Sequence, residues 1–149
     1  RDPRTHGRPM FFMLAARDDY TPAPLAIEYA ERMRSTGNDR IKVKVYGSAH
    51  HGWESIGPVF DIKDAENWSC CRNYIEDDGT HFIPAAGRAM SEPDYQAWAR
   101  QHCVTRGARA GGGTPELKQR ATADLLDFLT AHDFTVSWTN RKFPAIERA

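Results

Sequence analysis

The alternation of apolar and polar positions divides the first fifty residues into three elements. "MFFML" (10–14) is a short unbroken apolar run, the pattern of a strand buried on both faces of a sheet. In "PLAIEYAERMRSTG", Ala26, Tyr29, Ala30 and Met33 recur at helical spacing, with Pro24 in the first turn and Gly37 just past the end. "IKVKVY" (41–46) sets Ile41, Val43 and Val45 against Lys42 and Lys44, which predicts a strand with one buried and one wetter face. Strand, helix and strand in that order predict a right-handed parallel crossover and an α/β sheet.

This rhythm breaks between about 60 and 113, which reads as an inserted excursion. Within it, "RNYIEDDGTHFIP" predicts a hairpin turning at Asp78-Gly79, the pair favoured by tight primed turns. Ser91 and Asp94 form a capping box before a helix whose Tyr95, Trp98, Ala99 and His102 share a face. "RGARAGGGT" (106–114) lacks the lysine of a phosphate-binding loop and follows no predicted strand, so it reads as a flexible link. Thr114 and Pro115 then start a covering helix over about 115–131, with Leu117, Ala121, Leu125 and Phe128 on one face and Leu126 and Leu129 broadening it. "FTVSW" (134–138) alternates like a strand, and the residues after it read as a tail.

Composition narrows the class. With 149 residues, 40 % of them hydrophobic and 27 % charged, the chain falls in the range of one globular domain with a real core, not a disordered one. Twenty basic residues balance twenty acidic ones without a clustered stripe, which argues against a nucleic-acid partner. No apolar run approaches the ~20 residues needed to cross a bilayer, so no membrane partner is expected.

Cys70, Cys71 and Cys103 make an odd count with no C-x-x-C, arguing against a zinc ribbon or a thioredoxin-type site. One disulfide between Cys103 and either Cys70 or Cys71 would close a loop of about 33 residues, contributing roughly 3.5 kcal/mol by chain entropy. Free buried thiols are the alternative.

The candidate chemistry lies after the two early strands. "MFFML" runs into "AARDDYTP" and "IKVKVY" into "GSAHHGWE", and sites in open α/β sheets gather at the carboxyl ends of strands. A carboxylate beside a histidine fixes the imidazole's tautomer and stabilises the imidazolium formed when the ring takes a proton from a nucleophile. From spacing alone, three readings stay open: helix-capping acids with ordinary loop histidines, a catalytic pair, or a metal site.

"MLAARDDYTPA", a helix, then "KVYGSAHHGWE" resembles the C-terminal half of dienelactone hydrolase-like α/β-hydrolases. "NWSCCRNYIEDDG", "CVTRGARAGGGT" and the closing helix are similar to the tail of a bacterial subgroup of that family. The resemblance implies a catalytic acid at Asp18, four residues before Pro22, and a catalytic histidine at His51, directly before Gly52-Trp53, with Asp19 and His50 as neighbours. Ala15 departs from the glycine usual in that turn.

The expected fold is thus the C-terminal part of a single α/β-hydrolase domain, parallel strands with covering helices plus the irregular insertion. The family's nucleophile sits in G-x-[SC]-x-G ahead of acid and histidine. No serine or cysteine here fits, since Ser48 lacks flanking glycines and Cys70 and Cys71 follow the histidine. The chain opens on Arg1 without an initiator Met, and the expectation is a fragment whose missing N-terminal half carries the nucleophile.

The implied activity is hydrolysis of a small-molecule carboxylic ester or lactone without metal or organic cofactor, with Trp53 a candidate wall of the substrate pocket. A serine peptidase of the same fold and a non-catalytic binding module are the alternatives. A metal cluster drawn from His50, His51, His81 and nearby acids finds no supporting ligand spacing.

Overall fold

A computed structural model describes residues 7–134, so the strand expected over 134–138 and the tail fall, Phe134 aside, outside the described residues. Three helices and three small sheets make a mixed α/β structure. Strand β1 (Met10–Ala15), helix α1 (Ala23–Ser35) and strand β2 (Ile41–Tyr46) form the expected crossover, and β1 and β2 pair in parallel from Met10↔Ile41 to Ala15↔Tyr46. Strands alternate their side chains between faces, and both faces are used. On one, Phe12, Ile41 and Val43 meet Ala30 and Met33 of α1. On the other, Met13, Ala15 and Tyr46 meet Leu117 and Ala121 of helix α3 (Pro115–Ala131), with the Phe11 and Phe128 rings 5.1 Å apart.

Three expectations need correction here. The described sheets are mostly antiparallel, and β1–β2 is their one parallel pair. Tyr29, at helical spacing with Ala26, Ala30 and Met33, is 48 % exposed, because α1 meets the sheet through Ala30 and Met33. "RGARAGGGT" is no link over most of its length: Thr105–Gly111 is a strand, β7, antiparallel to β3 (Val59–Asn67). Its small side chains carry little strand preference, and pairing with a distant segment decides the outcome.

The rest of the excursion follows its local signals. Strands β4 (Tyr74–Ile75) and β5 (His81–Ile83) pair across the turn containing Asp78-Gly79, and β6 (Arg88–Met90) extends the sheet. Helix α2 (Glu92–His102) starts at Ser91, whose hydroxyl oxygen accepts from Asp94 N–H. Ile83, Met90, Tyr95 and Ala99 build a separate small core, and the disulfide Cys71–Cys103 lies against it, leaving Cys70 exposed as a free thiol.

The bond closes a loop with a sequence separation of 32. Cys103→Ser is therefore expected to lower the unfolding free energy by about 3.5 kcal/mol, measured by urea titration. Iodoacetamide applied to the denatured but unreduced protein should label Cys70 alone. Label on Cys71 or Cys103 would contradict the pairing.

Candidate functional site

The parallel register ends both strands level, at Ala15 and Tyr46, so their following loops leave the sheet side by side. Backbone bonds join them at once: Ala16 N–H donates to Tyr46 C=O at 3.0 Å and Arg17 N–H to Ala49 C=O at 2.9 Å. Tyr46 anchors the end of β2 by donating its hydroxyl to Asp124 Oδ2 at 2.9 Å. Burial, and then the Asp124 carboxylate, push the Tyr46 pKa well above the ordinary tyrosine value, which keeps the hydroxyl a donor. Ala15 enters the turn without strain: Asp133 is the one non-glycine with positive φ among the described residues.

The first loop folds around its own acid. Asp18 Oδ1 accepts from Tyr20 N–H at 2.9 Å and from Thr21 N–H at 2.7 Å, and Oδ2 accepts from the Thr21 hydroxyl at 2.7 Å. Such turns satisfy the backbone locally and fix the carboxylate before α1 begins. The second loop brings His51 Nδ1 to 3.1 Å from Asp18 Oδ2 and 3.2 Å from Thr21 Oγ1. The Thr21 hydroxyl hydrogen is committed to Asp18, so Nδ1 faces two acceptors. In the neutral ring Nδ1 is therefore the nitrogen that carries the proton, and Nε2 keeps its lone pair.

Exposure separates the partners. The Asp18 side chain is 9 % exposed and that of His51 37 %. Burial raises the Asp18 pKa, but hydrogen bonds from Thr21, Tyr20 and His51 outweigh it, and the carboxyl sits below its ordinary value. The Tyr20 ring stands edge-on to the His51 ring at 5.0 Å. Gly52, at φ +68°, supplies the left-handed turn that carries the chain away behind the histidine.

The neighbours take other places. His50 is buried and its Nδ1 has no hydrogen-bond partner. Asp19 turns from His51 to β7, where its Oδ1 accepts from Arg109 N–H at 2.9 Å. Trp53 packs on the Tyr46 ring at 4.8 Å and joins the core cluster of Ala15, Ala49, Leu117 and Ala121. Among the described residues no serine or cysteine is hydrogen-bonded to His51, and no group of His, Cys, Asp and Glu could hold a metal ion. No described helix is long and apolar enough to cross a membrane.

Sequence reasoning passed over Thr21 and Tyr20. The signal for Thr21 was present, since an Asp followed three residues later by Thr is a local capping pattern. A cavity of about 210 Å³ between α1 and β4, lined in part by Leu25, Tyr29 and Tyr74, contains neither Asp18 nor His51 and stands apart from this chemistry.

A carboxyl whose pKa is depressed on folding stabilises the folded state above its ordinary pKa, near 4, and loses that contribution as pH falls through the lower folded value. The urea midpoint is therefore expected to fall below about pH 4, and Asp18→Asn should make that fall shallower. An equal fall in both proteins would show that Asp18 is not held in this way.

No family model, no curated protein and no solved structure matches the chain, so the pairing of Asp18 with His51 stands on its own geometry.

Proposed function

We propose that this chain supplies the acid and the histidine of a hydrolase acting on a carboxylic ester or lactone, of dienelactone hydrolase type and built on an α/β-hydrolase fold. One observation carries the reading: Asp18 Oδ2 lies 3.1 Å from His51 Nδ1, on loops leaving adjacent parallel strands at the same end. The α1 and α3 helices covering the two faces of β1 and β2, and the resemblance of "ARDDYTP" and "YGSAHHGWE" to the family's acid and histidine turns, support it.

In this reading His51 Nε2 takes the proton of a serine or cysteine carried on a G-x-[SC]-x-G elbow that residues 7–134 do not present. The nucleophile attacks the carbonyl, and Asp18 stabilises the imidazolium that forms. His51 returns the proton to the departing alcohol, leaving an acyl-enzyme. A water deprotonated by His51 then releases the acid. Trp53, partly buried two residues beyond His51 in sequence, is the candidate aromatic wall for the acyl or alcohol group. No cofactor takes part in these steps.

The 149-residue chain alone is expected to show no His51-dependent hydrolysis of a nitrophenyl acetate. In an enzyme carrying this chain behind a strand–G-x-[SC]-x-G–helix segment, His51→Ala should lower kcat by roughly 10⁴-fold or more. His50→Ala should stay within about tenfold of the parent, a change of about 1.4 kcal/mol at most. The opposite ranking would assign the chemistry to His50, and an inactive parent enzyme would favour the binding-module reading.

A further inference from the structure

The excursion does more than fill the space between β2 and α3. Antiparallel pairing leaves alternate residues of a strand with backbone groups directed to its other edge. Along β7 these groups meet both loops of the site. Arg109 N–H donates to Asp19 Oδ1 at 2.9 Å, and Gly111 N–H donates to His51 C=O at 2.7 Å. Residues two apart on a strand are about 7 Å apart. One strand edge thus sets the distance between the residue after Asp18 and His51 itself.

Asn67, the last residue of β3, closes the arrangement. It is 6 % exposed, and its Nδ2 donates both to Asp19 C=O at 2.9 Å and to Gly107 C=O at 3.0 Å. Its Oδ1 accepts from Ser69 N–H at 3.0 Å. Both donors and the acceptor of a buried amide are engaged, and such a group holds its partners firmly because leaving any of them unpaired is costly. The histidine loop is held as closely. Gly57 N–H donates to Gly113 C=O at 3.0 Å, and a Cβ on Gly113 would stand only 2.1 Å from Trp53 O, so the two backbones meet where only glycine fits.

We infer that the β3–β7 ribbon is a brace that keeps the acid and histidine loops in register, with Asn67 and Asp19 as its positioning residues. The inference rests on the reading of Asp18 and His51 as a working pair. Asp19 touches neither Asp18 nor His51 by any hydrogen bond of its side chain described above. It acts through the chain, because moving Asp19 moves Asp18. Its charge is not what the tie uses: an amide oxygen at the same place would accept from Arg109 N–H equally well.

The test reads the His51 tautomer in the 149-residue protein by long-range ¹H–¹⁵N correlation, at a pH where the ring is neutral. The parent protein is expected to show Nδ1–H. Asp19→Ala and Asn67→Asp should shift His51 toward the Nε2–H form, while circular dichroism and the Cys71–Cys103 bond stay unchanged. Asp19→Asn should restore the parent spectrum, a rescue that a lost charge would not allow. Asp61→Ala, which removes the carboxylate partner of the Arg109 side chain without touching the backbone ties, should leave it unchanged. Asp19 is exposed, so its variants report even if Asn67→Asp does not fold. Retention of Nδ1–H in Asp19→Ala would overturn the brace and leave the pair standing. A parent protein already in the Nε2–H form would overturn the pair, and the brace with it.

Discussion

The register of two parallel strands is the constraint on which the rest depends. Pairing Ala15 with Tyr46 ends β1 and β2 level, so one loop can present a carboxylate and the other an imidazole to the same point 33 residues apart in sequence. A slip of one residue would exchange the faces of β2. Tyr46 would leave the cluster it shares with Ala15, Leu117 and Ala121, and Ile41 would leave Ala30 and Met33. Burial on both faces therefore fixes the register, and the register fixes the site.

Upon that frame, local chemistry and distant pairing divide the work. The Asp18 turn is closed within four consecutive residues, and the ties of Asp19 to β7 and Asn67 hold that turn against the histidine loop. The histidine loop is closed by backbone turns, Ala49 N–H to Tyr46 C=O and Ser55 N–H to Gly52 C=O, and its His51 carbonyl is caught by β7. The ribbon that supplies β7 continues into the small core around Ile83 and Tyr95, which the Cys71–Cys103 bond supports. Stability of the excursion is thereby linked to the geometry of loops that precede it in the chain.

The elements with strong local signals were legible in the sequence: the apolar run of β1, the alternation of β2, the caps at Ser91 and Thr114, and the Asp78-Gly79 turn. Spacing alone left Asp18 and Asp19, and His50 and His51, undistinguished; the family resemblance, carried by Pro22 and by Gly52-Trp53, singled out Asp18 and His51, the two that lie 3.1 Å apart. β7 was hidden because Gly107, Ala108, Ala110 and Gly111 resemble a loop until a partner strand is supplied. Asn67 was equally hidden, since an amide that bonds Asp19, Gly107 and Ser69 is defined by contacts spread across more than 40 residues. Tyr29 fitted the helical period yet lies beside the contact, because spacing gives a face of α1 without giving the width of what covers it.

Everything at the site turns on Asp18 Oδ2 accepting the Nδ1 proton of His51. A low-temperature proton spectrum tests it most directly, because a ring N–H bonded to a carboxylate resonates far downfield of the other histidine protons. One such resonance is expected in the parent protein, and its loss in Asp18→Ala. A resonance that survives Asp18→Ala, or that is missing from both proteins, would contradict it.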